Sequence, residues 1–344
     1  MGAAGRDRPC LAVAMEIEIH DGFSGVVHVT EAGHEVFSSG FGFANRAEQI
    51  PNTIATRFVN ASGTKTFVAI AVARLVDDGH FDFDTPLTEI LEAWPSGFDP
   101  EVTVHHLLSH TSGIPDYFDE EIEDDFEALW ATLPMYKVRT PSDLLPLFVD
   151  RPTKFTPGDR FSYCNSGFVM LGLLIEQHTG ISFTDFVAAN VFERAGMSES
   201  GFFPTDRLPP RAALNYLTDE DADNPRINIF TVPVNPMPDG GAFVTAPDMV
   251  SFWTALADRR LLSEETSDRV LKRHSKTRDT GGYGYGIWID DVWGEGQVFH
   301  AEGGDPGLNF VSGFHGGRDL TVTVISNTDG GVGKIYRSVF DQLL

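Results

Sequence analysis

Ser62 and Lys65 are the pair in this chain whose types and spacing carry the clearest chemistry. A serine at a helix start with a lysine three residues on places both side chains on one face, one turn apart. A hydroxyl becomes a nucleophile when a neighbouring base takes its proton, and a desolvated lysine amine can serve. A helix N-terminus adds positive potential and free N–H groups where an oxyanion forms. Ser62-Gly63-Thr64-Lys65 therefore reads as the S-x-x-K arrangement of serine acyl transfer. The bland alternative is an N-cap serine followed by a solvated lysine, a spacing common in any protein.

The surrounding pattern must position that pair. Phe67 to Val76 is an apolar helical run that stops near Asp77-Asp78-Gly79. Upstream, Val26-Val27-His28-Val29 and His34-Glu35-Val36-Phe37 flank Glu31-Ala32-Gly33 as a hairpin, and Gly40 to Asn45 continues the meander. The middle of the chain is helical in pattern, broken by Pro and Gly loops, as in Val104–Leu108 and Phe168–Ile175; Pro247–Leu256 is a further helix. Strand character returns in Gly284–Trp288, Gln297–His300, Phe310–Ser312 and Leu320–Ser326, and Tyr336–Leu344 closes the chain as a helix. The fold class is α/β in the α+β sense: an antiparallel sheet built from both chain ends, flanked by helices, with an inserted helical region. We expect residues 1–14 to be a loose leader and 15–344 one catalytic unit. Its sheet region spans about 15–80 and 221–344, and its helical region about 81–220.

The chain has 344 residues, 42% hydrophobic and 22% charged, enough for a large core. A net charge of −25 argues against nucleic acid and anionic membranes as partners. Two cysteines, Cys10 and Cys164, make neither a disulfide framework nor a metal cluster. The apolar run Cys10–Met15 is too short for a signal-peptide core and is followed at once by Glu16, and no stretch approaches a membrane span. These features predict a cytoplasmic protein acting on a small molecule, with self-association left open.

Further motifs follow in order. Leu107-Leu108-Ser109-His110-Thr111-Ser112-Gly113 resembles an L-L-S-H-T-S-G stretch. Pro157-Gly158 with Tyr163-Cys164-Asn165 resembles P-G…Y-x-N, and Gly240-Gly241 through Thr245-Ala246-Pro247-Asp248-Met249 resembles G-G…T-x-x-D-M. With Ser62 and Lys65 this set resembles the serine β-lactamase-like, penicillin-binding-protein-like family, which includes class C β-lactamases, D,D-peptidases, D-aminopeptidases and family VIII carboxylesterases. The resemblance runs from about Gly25 to Asn327.

It implies Ser62 as nucleophile, Lys65 as base and Tyr163 as proton relay, with Asn165 orienting a substrate carbonyl or amide. An unperturbed lysine titrates near ~10.4, so Lys65 acts as a base only if its surroundings lower that value. The third family motif, K-T-G or H-x-G before x-x-P-G, is altered to His300-Ala301-Glu302-Gly303-Gly304-Asp305-Pro306-Gly307. Aligned on Pro306-Gly307, the basic position falls on Ala301. His300 is one residue early and should face the site only through a bulge, whereas Glu302 can lie near it. Gly304, after the matched Gly303, is expected to pair its N–H with that of Ser62 as an oxyanion hole. Tyr117, Trp288 and Asn309 are pocket candidates. His105, His106 and His110 do not make a metal site, and the acidic runs 119–121 and 123–125 read as a solvated loop. No cofactor or metal is implied.

The expected activity is a serine hydrolase working through an acyl-enzyme, foremost a carboxylesterase on small esters, because the basic residue that would recognise a substrate carboxylate is missing. The alternatives are amide chemistry of the β-lactamase, D,D-peptidase or D-aminopeptidase kind, and a silent binding or scaffold protein on the same fold.

Overall fold

Two stretches from opposite ends of the sequence share one sheet. β1 (Gly25–Glu31) and β2 (His34–Phe41) lie beside β8 (Leu320–Ser326), which continues through β7 (Leu308–His315), β6 (Val298–Asp305), β5 (Trp288–Asp290), β4 (Gly282–Tyr283) and β3 (Ser275–Lys276). Every neighbouring pair is antiparallel. The computed structural model describes residues 17–92, 94–218, 224–277, 281–291 and 296–344, so the expected leader, 1–14, lies outside the described residues.

The central strands β1, β7 and β8 are buried on both faces, and their side chains sort by the period of two. Val27, Val29, Val311, Val322 and Val324 meet the amphipathic C-terminal helix α4 (Val332–Leu343) through Val332, Ile335, Val339 and Phe340. Val26, Ala301, Phe310 and Ile325 face the other way, into the main core. That core surrounds α1 (Thr64–Asp77), α2 (Asn165–Thr179) and α3 (Ala246–Ala257). Phe67 to Ala73 of α1 are all buried, as expected of a helix with protein on every side.

Two elements differ from the sequence pattern. Gly284–Ile287 is the loop joining β4 to β5, not a strand: Tyr283 pairs with Trp288, and Gly286 adopts a φ of 69°. Phe43–Asn45 leaves the main sheet and pairs with Ile50–Pro51. The β1–β2 turn is a two-residue loop with φ of 51° at Ala32 and 76° at Gly33, which suits the twist of the flanking strands. Between residues 81 and 220 the helical segments are interrupted by the short strands Gly201–Phe202 and Tyr216–Leu217. No helix among the described residues is long and apolar enough to cross a membrane.

Candidate active site

Ser62 sits in a single 3₁₀ turn, Ala61–Gly63, that leads directly into α1. Ala61 is fully buried with φ of 44°, a left-handed conformation that costs a non-glycine residue about 1–2 kcal/mol. The Gly240-Gly241 block brackets this turn. Asn60 N–H donates to Ala242 O (2.9 Å), and Ala242 N–H donates to Thr64 Oγ1 (2.9 Å). From the other side β6 closes on it: a Cβ at Gly303 would stand 2.4 Å from Asn60 O and 2.6 Å from Ser62 N. Glycine is required there because two backbones touch.

Lys65 is 1% exposed, and its Nζ donates to Ser62 Oγ (2.9 Å), Asn165 Oδ1 (2.8 Å) and Asp239 O (2.7 Å). Burial lowers its pKa below the ordinary lysine value, against the opposing pull of Asp239, Glu120, Asp116 and Asp305. Tyr163 reaches Ser62 with its hydroxyl, and burial raises its pKa well above the usual tyrosine range. Its ring lies 4.9 Å from Lys65 Nζ, stacks on Trp288 at 6.2 Å and 14°, and packs on His110 at 4.4 Å. Ser62, Lys65 and Tyr163 therefore meet at one point.

Asn165 lines the first cavity and also holds the lysine. Its Oδ1 accepts from Lys65, and its Nδ2 donates to Asp116 Oδ2 (3.2 Å) and Phe118 O (3.3 Å), so both ends of the amide hold protein groups. Asp116 also accepts from the backbone N–H of Asn165 (2.8 Å) and Ser166 (2.9 Å), capping the N-terminus of α2 with a carboxylate. Burial pushes Asp116 up to about 6 despite these bonds. The S-H-T-S-G turn delivers Asp116. Gly113 passes so close to Phe155 that a Cβ would lie 2.0 Å from its carbonyl oxygen, and His110 Nδ1 accepts from Cys164 N–H (3.1 Å). His110 is thus a buried brace, its pKa held well below the usual histidine value, first by burial and then by Lys65. Cys164 is buried against Ile114 O.

Two cavities open from Ser62. The first, of ≈ 540 Å³, contains Tyr117, Asn165, Gly304 and Asn309. Its walls also carry Glu120, Glu123, Asp124, Asp239, Asp305 and Asp329, with no lysine, arginine or histidine among the described residues. The second, of ≈ 640 Å³, contains Tyr163, Trp288, His300, Glu302, Gly303, Gly304 and Asn309, together with Glu120, Asp290 and Arg337.

His300 corrects the strand argument. β6 pairs with β7 without a break from Val298↔His315 to Asp305↔Leu308, so no bulge is present. His300 and Glu302, two apart, share the face that lines the second cavity, and Ala301 is the residue turned into the core. His300 Nε2 lies 3.2 Å from Asp290 Oδ2, and its Nδ1 lies 3.7 Å from Glu302 Oε2. The acidic loop is corrected too: Lys154 pairs with Asp119 (2.6 Å) and Glu121 (3.2 Å), and Glu120 faces both cavities.

Sequence reasoning missed Asp116, Asp239, Asp305 and Arg337. Asp239 precedes the Gly240-Gly241 motif and Asp305 follows Gly304, so adjacency to motif glycines was the available signal; Arg337 carried none. Tyr117 donates its hydroxyl to Asp239 Oδ2, a contact visible only in three dimensions. Among the described residues no group of three or more His, Cys, Asp or Glu is arranged to hold a metal ion.

The family described as Beta-lactamase matches residues 13–342. The solved penicillin-binding protein from Bacillus halodurans is 45% identical, with a TM-score of 0.88 over 94% of this chain and 97% of its own. Penicillin-binding protein 4* of Bacillus subtilis (strain 168) is 26% identical over 83% of this chain, and the D-aminopeptidase of Brucella anthropi is 27% identical over 82%. The chain spans 64% and 52% of those two proteins' lengths. A match from residue 13 to residue 342, on a fold shared nearly end to end with a solved penicillin-binding protein, makes this chain a member of the Beta-lactamase family, whose enzymes are serine hydrolases.

Proposed function

We propose that the protein is a serine hydrolase that passes its substrate through an acyl-enzyme on Ser62 and acts best on small carboxylic esters. Neutral Lys65 takes the proton from Ser62 Oγ, and Oγ attacks the ester carbonyl. The N–H groups of Ser62 and Gly304 hold the oxyanion. Tyr163 passes a proton to the departing alkoxide, and water then releases the acid with the same pair as base. Tyr163 lines only the second cavity, so the leaving group departs on that side and the acyl group occupies the first. Asn165 is a positioning residue that fixes Lys65.

The observation that carries the ester reading is the charge of the cleft. The first cavity has carboxylates and no cation among its described lining residues. In the second, His300 and Arg337 stand against Glu120, Asp290 and Glu302. A substrate carboxylate, as in a penicillin or a peptide C-terminus, meets net repulsion on both sides.

Parallel turnover of p-nitrophenyl acetate and a chromogenic cephalosporin tests this. Ester hydrolysis should exceed cephalosporin hydrolysis by about 100-fold and fall by about 10³-fold or more in Ser62→Ala. Faster cephalosporin turnover would overturn the ester reading, and turnover unchanged in Ser62→Ala would remove Ser62 as nucleophile. Amide hydrolysis is the second reading, supported by the similarity to a D-aminopeptidase. Ser62-dependent release of p-nitroaniline from a small anilide, outpacing the ester, would favour it.

A further inference from the structure

Tyr163 and the wall beside it are carried by two stretches without regular structure. Residues 151–164 and 111–127 form neither helix nor strand. No helix or sheet ladder therefore fixes where the Tyr163 hydroxyl points. Backbone bonds join these stretches where Lys154 N–H donates to Gly113 O (2.7 Å) and Gly158 N–H to Thr111 O (2.8 Å). Ser162 N–H donates to His110 O (2.9 Å). His110 Nδ1 holds Tyr163 from the Cys164 side, so the Ser162 side needs its own support.

Charge supplies it. Lys154 Nζ lies 2.6 Å from Asp119 Oδ2 and 3.2 Å from Glu121 Oε2, and it donates to Ser162 Oγ (2.8 Å), one residue before Tyr163. Its three donors thus reach two partners on the wall and one on the Tyr163 segment. Arg160 grips Glu121 through both oxygens, at 2.7 and 3.0 Å. That bond, against the opposing effect of burial and with help from Lys154, holds Glu121 down to about 2, so the cluster stays charged at neutral pH. The Arg160 side chain is 46% exposed, whereas those of Lys154 and Asp119 are 17% and 10% exposed. The inner pair is the one that salt screens least. Without the lysine, a buried carboxylate at Asp119 loses its cation and must turn toward water.

We propose that Lys154 is the positioning residue that aims the Tyr163 hydroxyl at the departing group, by tying Ser162 to the wall at Asp119 and Glu121. This deepens the ester reading and rests on its use of Tyr163 as proton donor to the leaving alkoxide. Lys154 lines neither cavity and takes no part in bond making. In the step it serves, the C–O bond to the leaving group breaks as the Tyr163 proton passes to that oxygen. The Lys65 ammonium, formed when Ser62 gave up its proton, then restores the proton to Tyr163.

Acetate esters that differ only in leaving group test this. p-Nitrophenoxide departs without a proton, whereas benzyl alkoxide needs one. In Lys154→Met we expect kcat/KM for benzyl acetate to fall about tenfold more than for p-nitrophenyl acetate, a part of the roughly 10²–10⁴-fold that a placed acid supplies. Lys154→Arg should recover part of that ratio. In a Tyr163→Phe background, Lys154→Met should change the ratio by less than about twofold, because the group it aims is gone. Equal losses for both esters, or the same change in ratio with and without Tyr163, would overturn the proposal. Should Lys154→Met not fold, Ser162→Ala removes only the link to the Tyr163 segment and should shift the ratio about threefold in the same direction; an unchanged ratio there overturns it equally. The ester reading is judged separately, by Ser62-dependent p-nitrophenyl acetate turnover in the parent. In a parent that cleaves amides instead, the same ratio is read between a p-nitroanilide and a benzylamide.

Discussion

The two cavities beside Ser62 share this proposed nucleophile and differ in what surrounds it. The first is apolar-walled and acidic, and one buried oxygen of Asp239 in it lacks a hydrogen-bond partner. The second is aromatic and mixed in charge, with Trp288 stacked on Tyr163 and His300 held between Asp290 and Glu302. The first carries carboxylates and no cation among its described lining residues and so can discriminate by charge. In the second most charges already face an opposite charge, so it should discriminate by shape. The proposed catalytic groups stand at the junction, where Gly303, Gly304 and Ser62 meet.

That contrast can be broken at three places. The largest effect is expected at the junction. Gly303→Ala drives a methyl into Asn60 O and Ser62 N and must push β6 away from the nucleophile turn. A displacement near 1 Å at a reacting group costs about 10²-fold, so kcat/KM should fall by at least that for every substrate. A loss confined to one substrate class, in steady-state assays across an ester panel, would mean the cavities do not share this junction.

Tyr117→Phe comes next and should act on the first cavity alone. It leaves the Asp239 carboxylate without its hydroxyl donor, a bond worth about 1.5–3 kcal/mol. We expect kcat/KM for esters with varied acyl groups to drop about tenfold, while relative rates across a leaving-group series stay unchanged. A changed leaving-group order would show that the cavities are coupled.

Arg337→Ala is the mildest. Arg337 is exposed on α4 and, of the two cavities beside Ser62, lines the second. Esters with neutral leaving groups should stay within about twofold. Those whose leaving group carries a carboxylate should lose about three- to fivefold, the scale of a solvent-exposed charge contact. An effect on acyl preference would contradict the assignment of sides.

The meeting of Ser62 with Lys65 was legible in the sequence because it is local, the two being one turn apart, whereas Tyr163, two residues before Asn165 at a helix start, was singled out only through the family resemblance. The antiparallel sheet from both chain ends was legible through period-two burial. The Gly284–Ile287 loop was not, since its aromatic and apolar residues look strand-like while Gly286 needs a positive φ. Cavity chemistry was least legible. Whether Glu120 is solvent-facing or cleft-facing, and whether Asp239 finds a donor in Tyr117, 122 residues away, depends on packing between distant segments. The His300 argument failed for a related reason. The strand alternation was sound, but the face that counts as the site held two alternating residues, His300 and Glu302, and the core took Ala301.

The close approach of Gly303 to Ser62 also sets an order in time. The Ser62 turn, Lys65 and α1 leave the ribosome early, whereas the strand that closes on Ser62 and carries the proposed oxyanion donor follows only after residue 298 has been made. At about 5–20 residues per second that interval lasts on the order of tens of seconds. Through it the nascent chain carries Ser62 and Lys65 but no site, and the first two strands wait unpaired on one edge for β8. Activity should therefore appear as a late event in synthesis, and the exposed edge of β1 is where a chaperone would be most useful.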